Sequence, residues 1–523
     1  MKGPSTVALA LVPLTAAKQL IWPSKWDYLE DLQYNQGGYN KFGFADAIIT
    51  CEFGSNVNGR QNSAEWIRTA FHDAVTHNAK TGTGGVDASI FWETKRPENP
   101  GSAFDNTFSF FSTFHNQRAS AADLIALGTV VATGSCQGPN VPFRAGRVDA
   151  YKAGPSGVPE PSTNLKETFA AFTNAGFTKQ DMTAMVACGH ALGGVHSVDF
   201  PDVTGIHSGS DPSNDTSVPF QKDITSFHNG IVTEYLDGTT KNPLVVAKNN
   251  TLNSDKRIYD NDRATMKKLA TKQGFNTMCA DVFARMIDTV PKSVQLSDVI
   301  SPYDVKPYIK EMSLNSKGKI HLVGSVRLMT TKNLRNPDDL SVKLVYVGRD
   351  NKKVTVPTTK AMWQGGSSSG SSQTFVNFEF DTTIDAKNGI TKFWIQETKP
   401  STKVTTTHDN NKTGGYKVDD TVLYQNSQSC WDSNSFPNPP MKVVAMVRDA
   451  EAKNALTLKI AQKVPSKDSP VPRLRTDVVN FKATGKKQSG YTAFQVKTNI
   501  IDNNEWFDIA LGGSSGAGVW FQQ

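Results

Sequence analysis

The chain has 523 residues, 38% of them apolar and 20% charged, with 28 Phe and 9 Trp. At roughly 150 residues per domain, that length calls for two or three folding units with real cores, so wholesale disorder is excluded. Forty Gly and 26 Pro are ordinary usage, which excludes collagen-like and low-complexity chains, and no apolar run reaches the roughly 18 residues of a membrane span.

The net charge of +7 is unevenly spread. Residues 1–310 carry 28 Lys/Arg against 30 Asp/Glu, and residues 311–523 carry 28 against 19. An acidic front and a basic back point to two modules with different partners, or to a basic surface that is merely solvated.

In chain order, Lys2 precedes an apolar stretch from Val7 to Leu14 and then small residues. This resembles a secretory signal (residues 1–17) cleaved near Ala17, and so an extracellular protein. Cys51, Cys136, Cys188, Cys279 and Cys430 form no CxxC pair, which argues against a zinc site. Their odd number leaves at least one thiol unpaired in an oxidising compartment. Asn214, Asn249 and Asn411 head N-x-[ST] glycosylation sequons, consistent with secretion.

Helical periodicity then dominates. Residues 62–75 place Trp66, Ile67, Ala70 and Phe71 on one face, with Ser63 as N-cap. Residues 119–134 begin a helix at Ser120 and stop at Gly134. Residues 162–176 follow two prolines. Residues 178–196 open on Thr178 with Asp181 three positions later, a capping-box spacing. Residues 259–274 and 277–290 predict two more helices.

Near residue 310 the period changes to two. Short runs rich in Val, Ile, Thr and Phe follow, among them KIHLVGSVRL, LSVKLVYVG, TFVNFEF, MKVVAMVRD and ALTLKIAQKV, spaced as in an all-β sandwich. The fold class is therefore multidomain: a mainly α region over 18–305 and a β-rich region over 306–523. The latter divides into two sandwich-like units near 429–440. GGSSSGSS (365–372) is expected to be a flexible loop. Arg473, Arg475, Lys482, Lys486 and Lys487 make a basic patch that can meet an anionic polymer, although solvated charge explains it equally.

Two segments carry chemistry. In WIRTAFHDAVTHNAKTGTGGVDASIFWE (66–93), Arg68 and His72 are four apart and share a helix face. A cation beside an imidazole suits acid–base work on a small polar substrate. Asp73 can join Asp87, Ser89 and Gly carbonyls as an oxygen-only set of the kind Ca²⁺ prefers. In MVACGHALGGVH (185–196), His190 lies among Gly189, Gly193 and Gly194, so a flat cofactor can approach closely.

These stretches, with PENPG (97–101), SAADLIALG (120–128), VPFRAGRVDA (141–150) and SFHNGIVTEYLDG (226–238), resemble the haem peroxidase superfamily of plants, fungi and bacteria over residues 60–290. FHDA and GGVDASI are similar to the secreted fungal class, and VPFRAGRVDA to the intracellular one, so the chain resembles a hybrid type. The resemblance implies haem b, with His190 as its axial iron ligand. It implies hydrogen peroxide as oxidant, and phenolic or other aromatic one-electron donors consumed through a ferryl intermediate. His72 takes the peroxide proton, Arg68 stabilises the departing oxygen, Phe71 walls the pocket and Asn99 holds the His72 tautomer. Asp73, Gly85, Asp87 and Ser89 bind a distal Ca²⁺. Cys51 and Cys136 form a disulfide.

Three departures bear on this reading. His228 stands at the position taken as that of the aspartate that bonds the proximal histidine, which implies a weaker push on the peroxide bond unless Asp223 substitutes. Ala191 replaces a hydroxyl residue of a second, proximal Ca²⁺ site. No acidic cluster for Mn²⁺ is evident, since Glu30, Asp31 and Asp46 have no fitting spacing. Surface Trp residues, such as Trp22, Trp26 or Trp92, either relay electrons or pack cores. The alternative function is a weakly catalytic or non-catalytic haem-binding protein whose basic β-module binds cell wall or polysaccharide. Nucleic acid is not an expected partner.

Overall fold

A computed structural model describes residues 20–54, 59–432, 434–435, 437–502, 506–512 and 519–521. The expected signal segment, residues 1–17, lies outside them. Among the described residues, no helix is long and apolar enough to cross a membrane.

Helices α1 (Asp27–Tyr34), α2 (Asn62–Ala74), α3 (Ala103–Phe111), α4 (Ala121–Ser135), α5 (Leu165–Asn174) and α6 (Lys179–Gly189) open the chain. α4 is apolar all round and buried from Ala121 to Thr133, so it forms the centre on which α2 and α3 pack. The Ser120 hydroxyl accepts the Asp123 N–H at its start. Thr178 and Asp181 form a reciprocal capping box at the start of α6. Ser63, in contrast, lies inside α2, where its hydroxyl donates to the Cys51 carbonyl at 2.9 Å.

Two helical expectations change. The helix expected over 178–196 ends at Gly189. Gly193 has φ +78 and turns the chain, so that β2 (Gly194–His196) pairs with β3 (Ser217–Pro219). The short helix α7 (Pro201–Thr204) and then α8 (Gly230–Asp237) and α9 (Pro243–Val246) follow. The helix expected over 259–274 is two, α10 (Ser254–Asn261) and α11 (Arg263–Leu269). Asp262 separates them because its side chain caps α11 by accepting the Thr265 N–H. α12 (Lys272–Ile287) ends the helical region. Cys51–Cys136 and Cys188–Cys279 are disulfides, and Cys430 is free and exposed. The second of these ties α6 to α12.

The rest is almost entirely antiparallel strand. In the first unit, β4 (Val305–Leu314), β5 (Lys319–Met329), β9 (Ser367–Gly370) and β10 (Gln373–Asp385) lie in the order β9-β10-β5-β4. The facing sheet comprises β6 (Ser341–Val347), β7 (Lys353–Pro357), β11 (Lys392–Lys399) and β12 (Val404–His408). Leu322, Val326 and Phe378 of one sheet share a core with Leu344, Phe393 and Ile395 of the other. In the second unit, β14 (Val422–Tyr424), β16 (Pro440–Arg448), β19 (Lys482–Gln488) and β20 (Tyr491–Asn499) face β17 (Leu456–Val464), β18 (Arg473–Asn480) and β21 (Trp506–Leu511). This unit begins at Val422, upstream of the expected split at 429–440.

GGSSSGSS is not a free loop. Ser368 and Ser369 of β9 pair with Gly38 and Gly37 of β1 (Gly37–Gly38). Small residues are needed there: a Cβ at Gly38, which has φ +83, would meet the Ser367 carbonyl oxygen at 2.1 Å. The basic patch is divided between β18 and β19, which belong to different sheets. Arg475 pairs with Asp477, and Arg473 lies over the Tyr151 ring.

Side chains of the β region also grip the helical region. Trp22 packs against Phe393 and Tyr416. Glu30 and Asp31 of α1 meet Lys306 and Arg327, with Lys306 Nζ 2.8 Å from both carboxylates. From the second unit, Asp508 pairs with Arg118 and Trp506 meets the Tyr28 ring edge-on at 5.0 Å.

Candidate active site between α2 and α6

A cavity of about 270 Å³ is lined by Arg68, Phe71 and His72 of α2 and, across it, by His190 at the end of α6. The four-residue spacing puts Arg68 and His72 one above the other on the helix face that meets the cavity. His72 Nδ1 lies 2.7 Å from Asn99 Oδ1. The Asn99 amide donates to the Glu93 carbonyl at 3.0 Å, which fixes the oxygen toward His72. His72 therefore donates from Nδ1 and keeps Nε2 as the free acceptor. Burial, and then the Arg68 charge, lower the His72 pKa to about 3. Burial lowers Arg68 to about 10, which still leaves it charged near neutral pH. The Arg68 guanidinium donates to the Pro100 carbonyl at 3.1 Å and lies 4.7 Å over the Phe104 ring. Phe71 contacts His72 edge-on at 5.9 Å and packs on Phe172.

On the opposite wall, His190 Nδ1 is 2.9 Å from Asp255 Oδ2. Asn242 donates to the same oxygen at 2.7 Å, and Asp255 is only 1% exposed. Phe220 stacks flat on the His190 ring at 4.2 Å. His190 Nε2 is thus the ring nitrogen left for a ligand, and the carboxylate partner fixes the tautomer and orientation of the ring. This corrects the reading of His228. His228 accepts the Gly230 N–H at 3.0 Å, at the start of α8, and sits 3.5 Å from Asp223. The position is a helix boundary, and the aspartate bonded to His190 comes from the start of α10. The weak-push argument built on His228 falls away. His228→Ala should leave the absorption spectrum of the cofactor-loaded protein unchanged, whereas Asp255→Asn should shift it. A spectral shift in His228→Ala alone would reverse this assignment.

The expected Ca²⁺ residues form a different arrangement. Asp73 Oδ2 accepts the N–H groups of Asp87 (3.0 Å) and Ala88 (2.7 Å). Its Oδ1 accepts the Ile90 N–H (3.0 Å) and the Ser89 hydroxyl (3.2 Å). Asp87 turns back to accept the Ser89 N–H. Gly85 has φ +104, and a Cβ there would meet the Thr289 carbonyl at 2.5 Å, so it serves a close backbone crossing. Four protein donors take up the Asp73 oxygens, and this does not fit a cation cage. Among the described residues, no group of three or more His, Cys, Asp or Glu is arranged to hold a metal ion.

Sequence reasoning missed Asp255, Asn242 and Phe220. It also missed the rim, where Arg60 pairs with Glu65 (3.1 Å) and Asp199 (3.6 Å), and His196 bonds Asp215 at 2.6 Å. The one local signal for Asp255 was an acid in the first turn of α10, upstream of the helix start expected at 259.

These observations agree with the comparisons. The Peroxidase family pattern matches residues 52–275. A WSC domain-containing protein of Arthroderma benhamiae is 38% identical over 382 residues, 72% of this chain and 52% of that protein. The chain thus spans about half the length of that relative, and the likeness reaches beyond the helical region. L-ascorbate peroxidase 5, peroxisomal, of Arabidopsis thaliana is 30% identical over 205 residues, 39% of this chain and 68% of that protein. Mitochondrial cytochrome c peroxidase of Emericella nidulans is 30% identical over 137 residues, 25% of this chain and 38% of that protein. With an Asp-bonded histidine facing an arginine–histidine pair across a cofactor-sized cavity, the chain belongs to the haem peroxidase superfamily.

Proposed function

We propose that the chain is a secreted peroxidase that uses hydrogen peroxide to oxidise phenolic or other aromatic one-electron donors. The observation that carries this reading is the juxtaposition of a neutral, Asn-oriented His72 with a charged Arg68, facing the anion-backed His190. The residues present fit haem. His190 offers one free ring nitrogen, and a Cβ at the neighbouring Gly189 would touch nothing within 4 Å, so a flat group can lie close. Arg60, Gln61 and His196 supply a polar rim for its carboxylates. Bound haem would supply an iron centre that cleaves the peroxide bond and holds two oxidising equivalents.

The protein's own groups manage protons and charge. His72 Nε2 accepts the proton of incoming peroxide, since its other nitrogen is held by Asn99, and returns that proton to the departing oxygen. Arg68 offers fixed positive charge where negative charge develops, in a site that excludes most water. Phe71, Phe104 and Phe172 keep the pocket apolar. The two disulfides support an oxidising compartment, as do sequon residues Asn214, Asn249 and Asn411, all exposed.

The test is the absorption spectrum of the purified holoprotein before and after one equivalent of peroxide. Rapid conversion of the haem band, and its return on adding a phenol, is the expected result. A haem band indifferent to peroxide would sink the proposal.

A further inference from the structure

In the first β unit, the sheet β12-β11-β6-β7 turns Val342, Leu344, Phe393 and Ile395 into the core. The alternate residues turn outward. At the middle of that outer face stands Trp394, opposite Val345 of β6. The Lys392 ammonium lies 5.0 Å from the centre of its ring, and Lys353 of β7 lies 5.3 Å from it. On one side of the ring, Lys353, Val347, Lys392 and Lys417 of β13 (Tyr416–Lys417) stand in register as one row across four strands. On the other side, Lys343 stands opposite Gln396.

Lys392 and Lys417 are directly opposed, and like charges in that position cost stability. Among the described residues, none of the four lysines pairs with a carboxylate, whereas Lys352 reaches Asp350 at 4.0 Å. The acid of β11, Glu397, is buried and taken by Arg335 and His408. The ring, in contrast, has a fixed seat. Gly415 has φ +125, and a Cβ there would meet Trp394 Nε1 at 3.3 Å, so the indole lies against bare backbone.

We propose that this face binds an acidic polysaccharide, with Trp394 as the platform for a sugar ring and Lys343, Lys353, Lys392 and Lys417 as counter-charges for its carboxylates. The site is separate from the cavity and does not depend on the peroxidase reading. A sugar ring presents C–H groups on its face and hydroxyls at its edge. The negative face of the indole receives such C–H groups as it receives the lysine ammoniums. A sugar carboxylate carries a full charge, so it draws the two ammoniums off the ring and uncovers the platform. Gln396 and, opposite it on β12, the exposed Thr407 supply hydrogen bonds to sugar hydroxyls. A strand of nucleic acid asks for a succession of ring platforms, and the outward positions of this sheet hold one aromatic residue.

The experiment titrates the full-length protein with polygalacturonate, by affinity electrophoresis and calorimetry. Binding that weakens with added salt is expected. Trp394→Ala and the double variant Lys392→Ala/Lys417→Ala should each lose about tenfold or more in affinity, and Trp394→Tyr should keep most of it. Lys482→Ala/Lys487→Ala, on β19 of the other unit, should bind as the wild type does. Each variant is accepted only with the wild-type unfolding temperature, which removes misfolding as an explanation. Polyglutamate has the charge without the sugar and should bind at least about tenfold more weakly. Equal affinity for polyglutamate, or a Trp394→Ala variant as tight as wild type, overturns the inference in favour of general attraction to polyanions. Single-stranded DNA bound more tightly than polygalacturonate overturns it in favour of nucleic acid. No binding of polygalacturonate at low salt ends it outright.

Discussion

His72→Leu slows the reaction with hydrogen peroxide by about 10²–10⁴-fold, the usual contribution of a positioned acid–base group. The substitution keeps the pocket apolar and removes only the nitrogen that accepts the peroxide proton. Stopped-flow absorbance of the holoprotein measures it. The pH profile adds a second check, with a definite sign. The working form of His72 is neutral, and burial and Arg68 hold its pKa at about 3. The rate therefore falls only on acidification toward that value, with no inflection near 6.5 where a solvated histidine titrates. The working form of Arg68 is charged, and its pKa is about 10. The rate falls again on the alkaline side. A flat plateau between these limits is expected in the wild type. An inflection near neutral pH assigned to His72, or a leucine variant as fast as wild type, would remove His72 from the proton-transfer role.

The fold class was legible because period and punctuation agree with the tertiary outcome. α4 announces itself by a long Ala- and Leu-containing apolar run behind a Ser cap, and alternation as in β11 (buried at every second position) needs only a half-buried sheet face. Elements failed where the chain bends for reasons outside the window. α6 stops at His190 because Gly193 turns the backbone into β2. β9 forms because glycine and serine can lie flat on β1, a pairing across more than 300 residues. In the active site, Arg68 and His72 share a helix, so spacing alone groups them. His190 and Asp255 are 65 residues apart and meet by tertiary packing. No local pattern distinguishes Asp255 from any acid that begins a helix, so His228, which stood in a matching stretch, was chosen instead.

Arg327→Leu destabilises the protein by about 3–5 kcal/mol, the cost of removing one partner from a buried ion-pair network. Arg327 lies on β5 with no exposed surface, pairs with both Glu30 and Asp31 of α1, and sits 4.3 Å over the Phe375 ring. Lys306 supplies the second cation, and Tyr303 and Tyr308 donate hydroxyls to Asp27 and Asp31. Two carboxylates and two cations are thus enclosed together. With Arg327 gone, Lys306 alone faces both carboxylates, and one buried negative charge is left without a compensating cation. Lys41→Ala is the control, because the Lys41–Asp46 pair is about half exposed and contributes only about 0–1 kcal/mol. Thermal unfolding should show a large drop for Arg327→Leu and almost none for Lys41→Ala. The haem absorption band should be lost in the same transition, since α1 belongs to the core that also holds α2 and α6. Equal stability of the two variants would mean that the helical and β regions merely touch. A large difference means that the β region holds the first helix of the peroxidase fold in place, through charges that alternating strand patterns gave no reason to expect inside.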